Sequence, residues 1–96
     1  MIAVIATIHV RAEKVAEFER AVRELEAAVK AREPDCLLYR MARSRTEPLT
    51  YKNLEIFRDQ AALDSHQAQE HFKIGARALR DCVSGPSTVE FLDTLG

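Results

Sequence analysis

A ferredoxin-like α+β fold is predicted for this 96-residue chain by three observations. Four stretches carry apolar or β-branched residues in the alternating or continuous pattern of strands. Two longer stretches repeat their apolar residues every third and fourth position, the signature of amphipathic helices. Their order is β-α-β-β-α-β, which right-handed crossovers fold into a four-stranded antiparallel sheet with both helices on one face.

Residues 2–10 open the chain as a strand: Ile2, Val4, Ala6 and Ile8 on one face, Ala3, Ile5 and Thr7 on the other. A strand apolar on both sides expects cover on both sides. Over residues 13–32 the period changes. Val15, Phe18, Val22, Leu25 and Val29 make one helical stripe, and the outer face carries Glu19–Arg23 and Glu26–Lys30 as i,i+4 pairs, read as a solvated surface. Pro34 and Asp35 end that helix. Residues 36–44 form the second strand, with Leu37, Tyr39 and Met41 alternating against Leu38, Arg40 and Ala42. After a turn at Thr46-Glu47-Pro48, residues 50–57 form the third. Asp59 is placed to cap a short helix through Ala62 and Leu63. That helix leads into a longer one striped by Phe72, Ala76, Leu79 and Val83, which Gly85-Pro86 ends. Residues 88–95 supply the last strand.

The whole of 1–96 reads as one domain. Two helices cover one sheet face, so the apolar second face predicts a homodimer packed sheet to sheet. A formal net charge of −1, with acids and bases interleaved, lacks the basic face of a nucleic-acid binder. No stretch approaches the roughly 20 apolar residues of a membrane span. MIAVIATIHV has neither a basic leader nor a small-residue cleavage site and reads as strand, not targeting segment. Cys36 and Cys82 stand far apart with no CxxC, as reduced, mostly buried thiols of a cytoplasmic protein.

LDSHQAQEHFK carries two of the three histidines, His66 and His71. On a continuous helix, five residues at about 100° each set them roughly 140° apart, which argues against a shared metal. His66 follows the short helix where the chain turns towards the next one; it reads either as a general base titrating near neutrality or as a capping or surface histidine. His71 is placed on the outward side, beside Glu70, and His9 is given no role. On the third strand Tyr51, Asn53, Glu55 and Phe57 share a face. Two polar groups between two aromatics suggest a pocket wall, with His66 and Arg77 as partners for Glu55. The alternative is that Asn53 and Glu55 face water or satisfy backbone groups. No GxSxG, P-loop, GxGxxG or HExxH is present, so acyl-transfer, phosphate, nicotinamide and zinc-hydrolase chemistries have no motif support.

From residue 2 to 95, the segments YxNLEIFxD and ALDSHxxxxHF and the terminal SGP resemble the antibiotic biosynthesis monooxygenase domain. The resemblance implies a dimeric α+β barrel. It also implies a cofactor-independent monooxygenase that oxidises a small quinol or aromatic polyketide with O₂. In the haem-degrading branch a Trp stands where this chain has His66, and the haem-ligating His falls near Ala76, so the resemblance implies no haem or other cofactor. Asn53 and Phe57 match a pocket-lining pair of the polyketide oxygenases, although Phe57 replaces a frequent Trp. The roles implied are His66 as base, Glu55 orienting it and Asn53 as donor. Tyr39, Tyr51, Phe57, Phe72 and Arg77 are the implied substrate-binding residues. The ending LRDCVSGPSTVEFLDTL is also similar to a branch that isomerises a phosphorylated autoinducer sugar. That alternative predicts Arg40, Arg43, Lys52 and Arg77 converging on the pocket. A non-catalytic, ligand-binding dimer is the third reading, and it predicts Glu55 and His66 pointing apart.

Overall fold

The computed structural model describes residues 1–96. Strand β1 (Ile2–His9) leads through a 3-10 turn (Ala12–Lys14) into helix α1 (Val15–Arg32). The hairpin β2 (Cys36–Arg43) and β3 (Thr50–Phe57) follows, then helices α2 (Gln60–Ala68) and α3 (Glu70–Arg80), and strand β4 (Thr88–Asp93). The sheet is antiparallel in the order β2-β3-β1-β4. This is the ferredoxin-like arrangement predicted. No helix is long and apolar enough to cross a membrane.

Register decides what each face displays. Toward the helices the cross-strand rows read Tyr39–Glu55–Val4–Phe91 and Met41–Asn53–Ala6–Val89. The outer rows read Leu38–Ile56–Ala3–Leu92 and Arg40–Leu54–Ile5–Glu90. A register shift between Cys36 and Leu38 leaves Leu37 exposed, out of the alternation expected for it.

The core is divided. One cluster gathers Ile8, Val10, Phe18, Val22, Tyr51 and Cys82; a second gathers Val4, Phe57 and Leu63. Between them the small side chain of Ala6 stands next to Asn53 on the sheet, and Ala76 lies on α3. Small residues leave space where large ones would have joined the clusters. Both helices of the α1–α3 pair approach closely at Gly75, where a Cβ would stand 2.9 Å from Leu25 Cδ1.

Four local expectations are corrected. α1 begins at Val15, after the 3-10 turn, and not at Glu13. α3 stops at Arg80, well short of Gly85, because the chain is drawn into a bridge between Val83 and Val10 and a bond from Arg11 N–H to the Cys82 carbonyl. β4 ends at Asp93, not at residue 95. Glu19 and Glu26 do not form the helix-surface pairs: Glu19 accepts from the Tyr51 hydroxyl at 2.6 Å, and Glu26 accepts from the Met41 backbone N–H at 2.7 Å. Glu26 thereby covers part of the open edge of β2, which would otherwise present unpaired backbone donors. Asp59 caps α2 as expected, accepting from Ala62 N–H at 2.9 Å.

Candidate functional site

The gap between the two core clusters is a chamber of about 400 Å³ under the helices. Its wall is apolar apart from Asn53, Glu55, His66, Gln67 and the phenol of Tyr39. Val89 and Phe91 of β4 also line it and stay more than half exposed, since β4 packs chiefly along β1 and not beneath a helix. A concave, mostly apolar space with a few converging polar groups is the usual form of a small-molecule site.

On β3, Asn53 and Glu55 share the inner face because they are two residues apart. Asn53 donates from Nδ2 to Glu55 Oε2 at 2.9 Å. Its Oδ1 is buried with no hydrogen-bond partner. Such an orphan is costly in a packed core and is better explained where a ligand can complete it. Burial pushes the Glu55 carboxyl up to about 7, with the charge of Glu33 adding to the rise and the Asn53 bond opposing it. Glu55 faces Tyr39 directly across the strands. Burial, reinforced by Glu55, holds that phenol protonated.

These values carry a stability prediction. An unfolded glutamate titrates near 4.5 and the folded one near 7, so the folded chain binds the extra proton between those values. Stability is therefore full below about pH 4.5 and falls as pH rises through about 7, by up to about 3 kcal/mol. Glu55→Gln should flatten this fall and leave the variant more stable than the parent at pH 8. Urea melts of both proteins at pH 5 and pH 8 check it.

His66 enters from α2. Its ring packs among Tyr39, Phe57 and Phe72, with centroid distances of 5.2, 5.1 and 4.5 Å. Its Nδ1 lies 2.8 Å from Glu33 Oε1, just beyond the end of α1. Burial lowers the His66 pKa in spite of the opposing pull of Glu33. Burial thus favours the neutral ring, whose hydrogen bonds to the protein are made through Nδ1 and not Nε2.

His71 is not on the outward side. Gln69 adopts an extended conformation between α2 and α3, which breaks the helix that the 140° estimate assumed. The break turns His71 inward, so that its Nε2 also meets Glu33 Oε2, with the His71 side chain 7% exposed. No group of three or more His, Cys, Asp or Glu side chains suited to a metal ion is present.

Of the residues expected at the site, the chamber brings together Asn53, Glu55, His66, Tyr39 and Phe72. Three are elsewhere. Tyr51 is buried against Phe18 at 4.8 Å, under the Arg43 guanidinium, with its hydroxyl bonded to Glu19. Phe57 is wholly buried behind His66. Arg77 is exposed on α3 and makes no bond to Glu55. The carboxylate on His66 is also a correction: it belongs to Glu33, and Glu55 is bonded to Asn53.

A family model described as antibiotic biosynthesis monooxygenase matches residues 1–78. The chain belongs to the antibiotic biosynthesis monooxygenase family. Among solved structures it is similar to a candidate antibiotic biosynthesis monooxygenase from Caulobacter crescentus CB15, at 40% identity and a TM-score of 0.96, covering 99% of this chain and 90% of that one. A protein from Pseudomonas aeruginosa is 30% identical with a TM-score of 0.85, over 99% and 94% of the two chains. A conserved protein from Methanosarcina mazei Go1 is 27% identical with a TM-score of 0.90, over 95% and 89%. No curated protein matches. The recognised segments of this monooxygenase-family chain supply β3, α2 and the start of α3, the elements that hold the polar side of the chamber.

Glu33 is the site residue that sequence reasoning passed over. A signal for it exists. The buried stripe of α1 ends Leu25, Val29, and the next position at that spacing is Glu33. A carboxylate there continues the inward face, and it also sits at a helix C-terminus, where negative charge is disfavoured.

Proposed function

We propose that this family member is a cofactor-independent monooxygenase of a small, electron-rich phenol such as a quinol or anthrone. The observation that carries the reading is the apolar chamber in which Asn53, Glu55 and His66 share one wall. Such a substrate activates O₂ itself once it is deprotonated, so the protein needs a base, hydrogen-bond partners for the anion and a dry space.

His66 Nε2 takes the substrate proton. The anion passes one electron to O₂, and the radical and superoxide combine at a ring carbon to give a peroxide. Loss of a second proton from that carbon expels the outer oxygen, which leaves as water with the proton returned by His66. One oxygen atom stays on the ring, so R₂CH₂ and O₂ become R₂C=O and H₂O. Asn53 supplies an amide donor to the developing oxyanion, Glu55 holds a second substrate hydroxyl, and Tyr39 and Phe72 flank the ring. The phosphorylated-sugar reading would need cations in the chamber, and none of Arg40, Arg43, Lys52 and Arg77 lines it.

An oxygen electrode tests the reading with menadiol and with an anthrone as substrates. Oxygen uptake well above the uncatalysed rate with either is expected; background rates with both would overturn it.

The working unit in this reading is a homodimer. The outer sheet face carries the apolar row Leu38–Ile56–Ala3–Leu92 beside Leu54 and Ile5, with Leu54 still 38% exposed. Face-to-face pairing of two such sheets would cover it. Leu54→Arg should convert a dimer to a monomer in sedimentation velocity, whereas a chain already monomeric would tolerate this exposed change with no shift in mass.

A further inference from the structure

We propose that Glu33 is a positioning residue that sets which nitrogen of His66 faces the chamber bare, with His71 holding Glu33 in place. For its effect on turnover, the inference rests on the proposed role of His66 as base; the assignment of the proton does not.

The geometry leaves little freedom. Both Glu33 oxygens lie within hydrogen-bond reach of His66 Nδ1, at 2.8 and 3.1 Å, and Oε2 also meets His71 Nε2. A carboxylate can only accept, so each imidazole must present an N–H to it. A neutral His66 has one ring proton. Held at Nδ1 by Glu33, that proton leaves Nε2 with a lone pair and no protein partner. His71 correspondingly carries its proton on Nε2.

Burial makes the arrangement consequential. The side chains of Glu33, His66 and His71 are 6%, 3% and 7% exposed, so water does not compete for these bonds. Two N–H donors offset the desolvation of the carboxylate. No lysine or arginine is bonded to Glu33, whose side-chain partners are the two histidines. The titratable groups packed nearest it are Cys36 and Tyr39 from β2, Glu55 from β3, His66 from α2 and His71 from α3.

The backbone is shaped for this convergence as well. The extended Gln69 turns α3 relative to α2, and only that break brings both rings onto one carboxylate. A carboxylate at the end of α1 weakens the helix through its dipole, so helix stability does not account for Glu33.

Two measurements on the folded protein test the proposal. Long-range ¹⁵N–¹H correlation spectra of histidine-labelled wild type at pH 7.5 should show His66 protonated at Nδ1 and bare at Nε2. The same spectra of Glu33→Gln should show the proton moved to Nε2, because a glutamine amide can donate to Nδ1. Turnover of menadiol by that variant should fall roughly 10²–10⁴-fold with KM changed only a few-fold, and Glu33→Asp should recover part of it. A wild-type His66 protonated at Nε2 would overturn the proposal without any substrate being needed. So would a folded Glu33→Gln that keeps full turnover. If the wild-type tautomer is as stated yet no quinol is oxidised, the positioning geometry stands and the oxygenase reading fails.

Discussion

Replacing His66 with alanine should lower quinol turnover by roughly 10²–10⁴-fold, the usual contribution of a positioned general base. The loss should fall on kcat, since the apolar walls that bind the ring remain. The substitution has a structural cost too. It removes one of the two N–H donors on the buried Glu33 and the ring packed among Tyr39, Phe57 and Phe72. Leaving a buried acceptor with one donor fewer costs about 1–3 kcal/mol. His66→Gln keeps more volume and an amide donor toward Glu33, so it should fold with a smaller penalty and be equally inactive. Steady-state oxygen uptake, with circular dichroism confirming the fold, measures both variants. A well-folded His66→Gln turning over at the wild-type rate would remove His66 from the chemistry.

Phe57→Ala should destabilise the chain by about 3–5 kcal/mol, the range for deleting a fully buried aromatic side chain. Phe57 is inaccessible to solvent and, with Val4 and Leu63, forms the smaller of the two core clusters. A three-residue cluster has few neighbours able to collapse into the hole, so the upper part of that range is expected. Denaturant melts give the number. The second consequence is functional. The Phe57 ring lies 5.1 Å from that of His66 on the side away from the chamber, and without it the imidazole loses a wall. Phe57→Leu separates the two effects: it should restore most of the stability while leaving the histidine looser and kcat reduced.

The strands and helices were legible because their periods are clean. The β3 boundaries are those read from the alternation of Tyr51, Asn53, Glu55 and Phe57, and Asp59 caps α2 as its side chain suggested. That same alternation brought Asn53 and Glu55 to the inner face. It could not divide the face into core and chamber. Tyr51 and Phe57 point the same way yet join opposite clusters, and that separation depends on Ala6 and Ala76 from distant elements.

The histidine pair was misread for a backbone reason. Neither Gly nor Pro marks the break at Gln69, so angular spacing along one helix put His71 on the wrong side. Glu33 was overlooked for a related one: beside Pro34 it reads as helix end, and only the continuing stripe from Leu25 and Val29 shows that it faces inward. Arg77 shows the limit of charge matching, since a plausible cation for Glu55 on α3 lies at the surface while an amide two residues away provides the bond.

The most direct test of oxygen chemistry in this chamber is the fate of labelled oxygen. Under ¹⁸O₂, with menadiol or an anthrone as substrate, mass spectrometry should find one ¹⁸O atom in the oxidised product and the other in water. Product without label, or label recovered as hydrogen peroxide in step with substrate lost, would contradict oxygen insertion here.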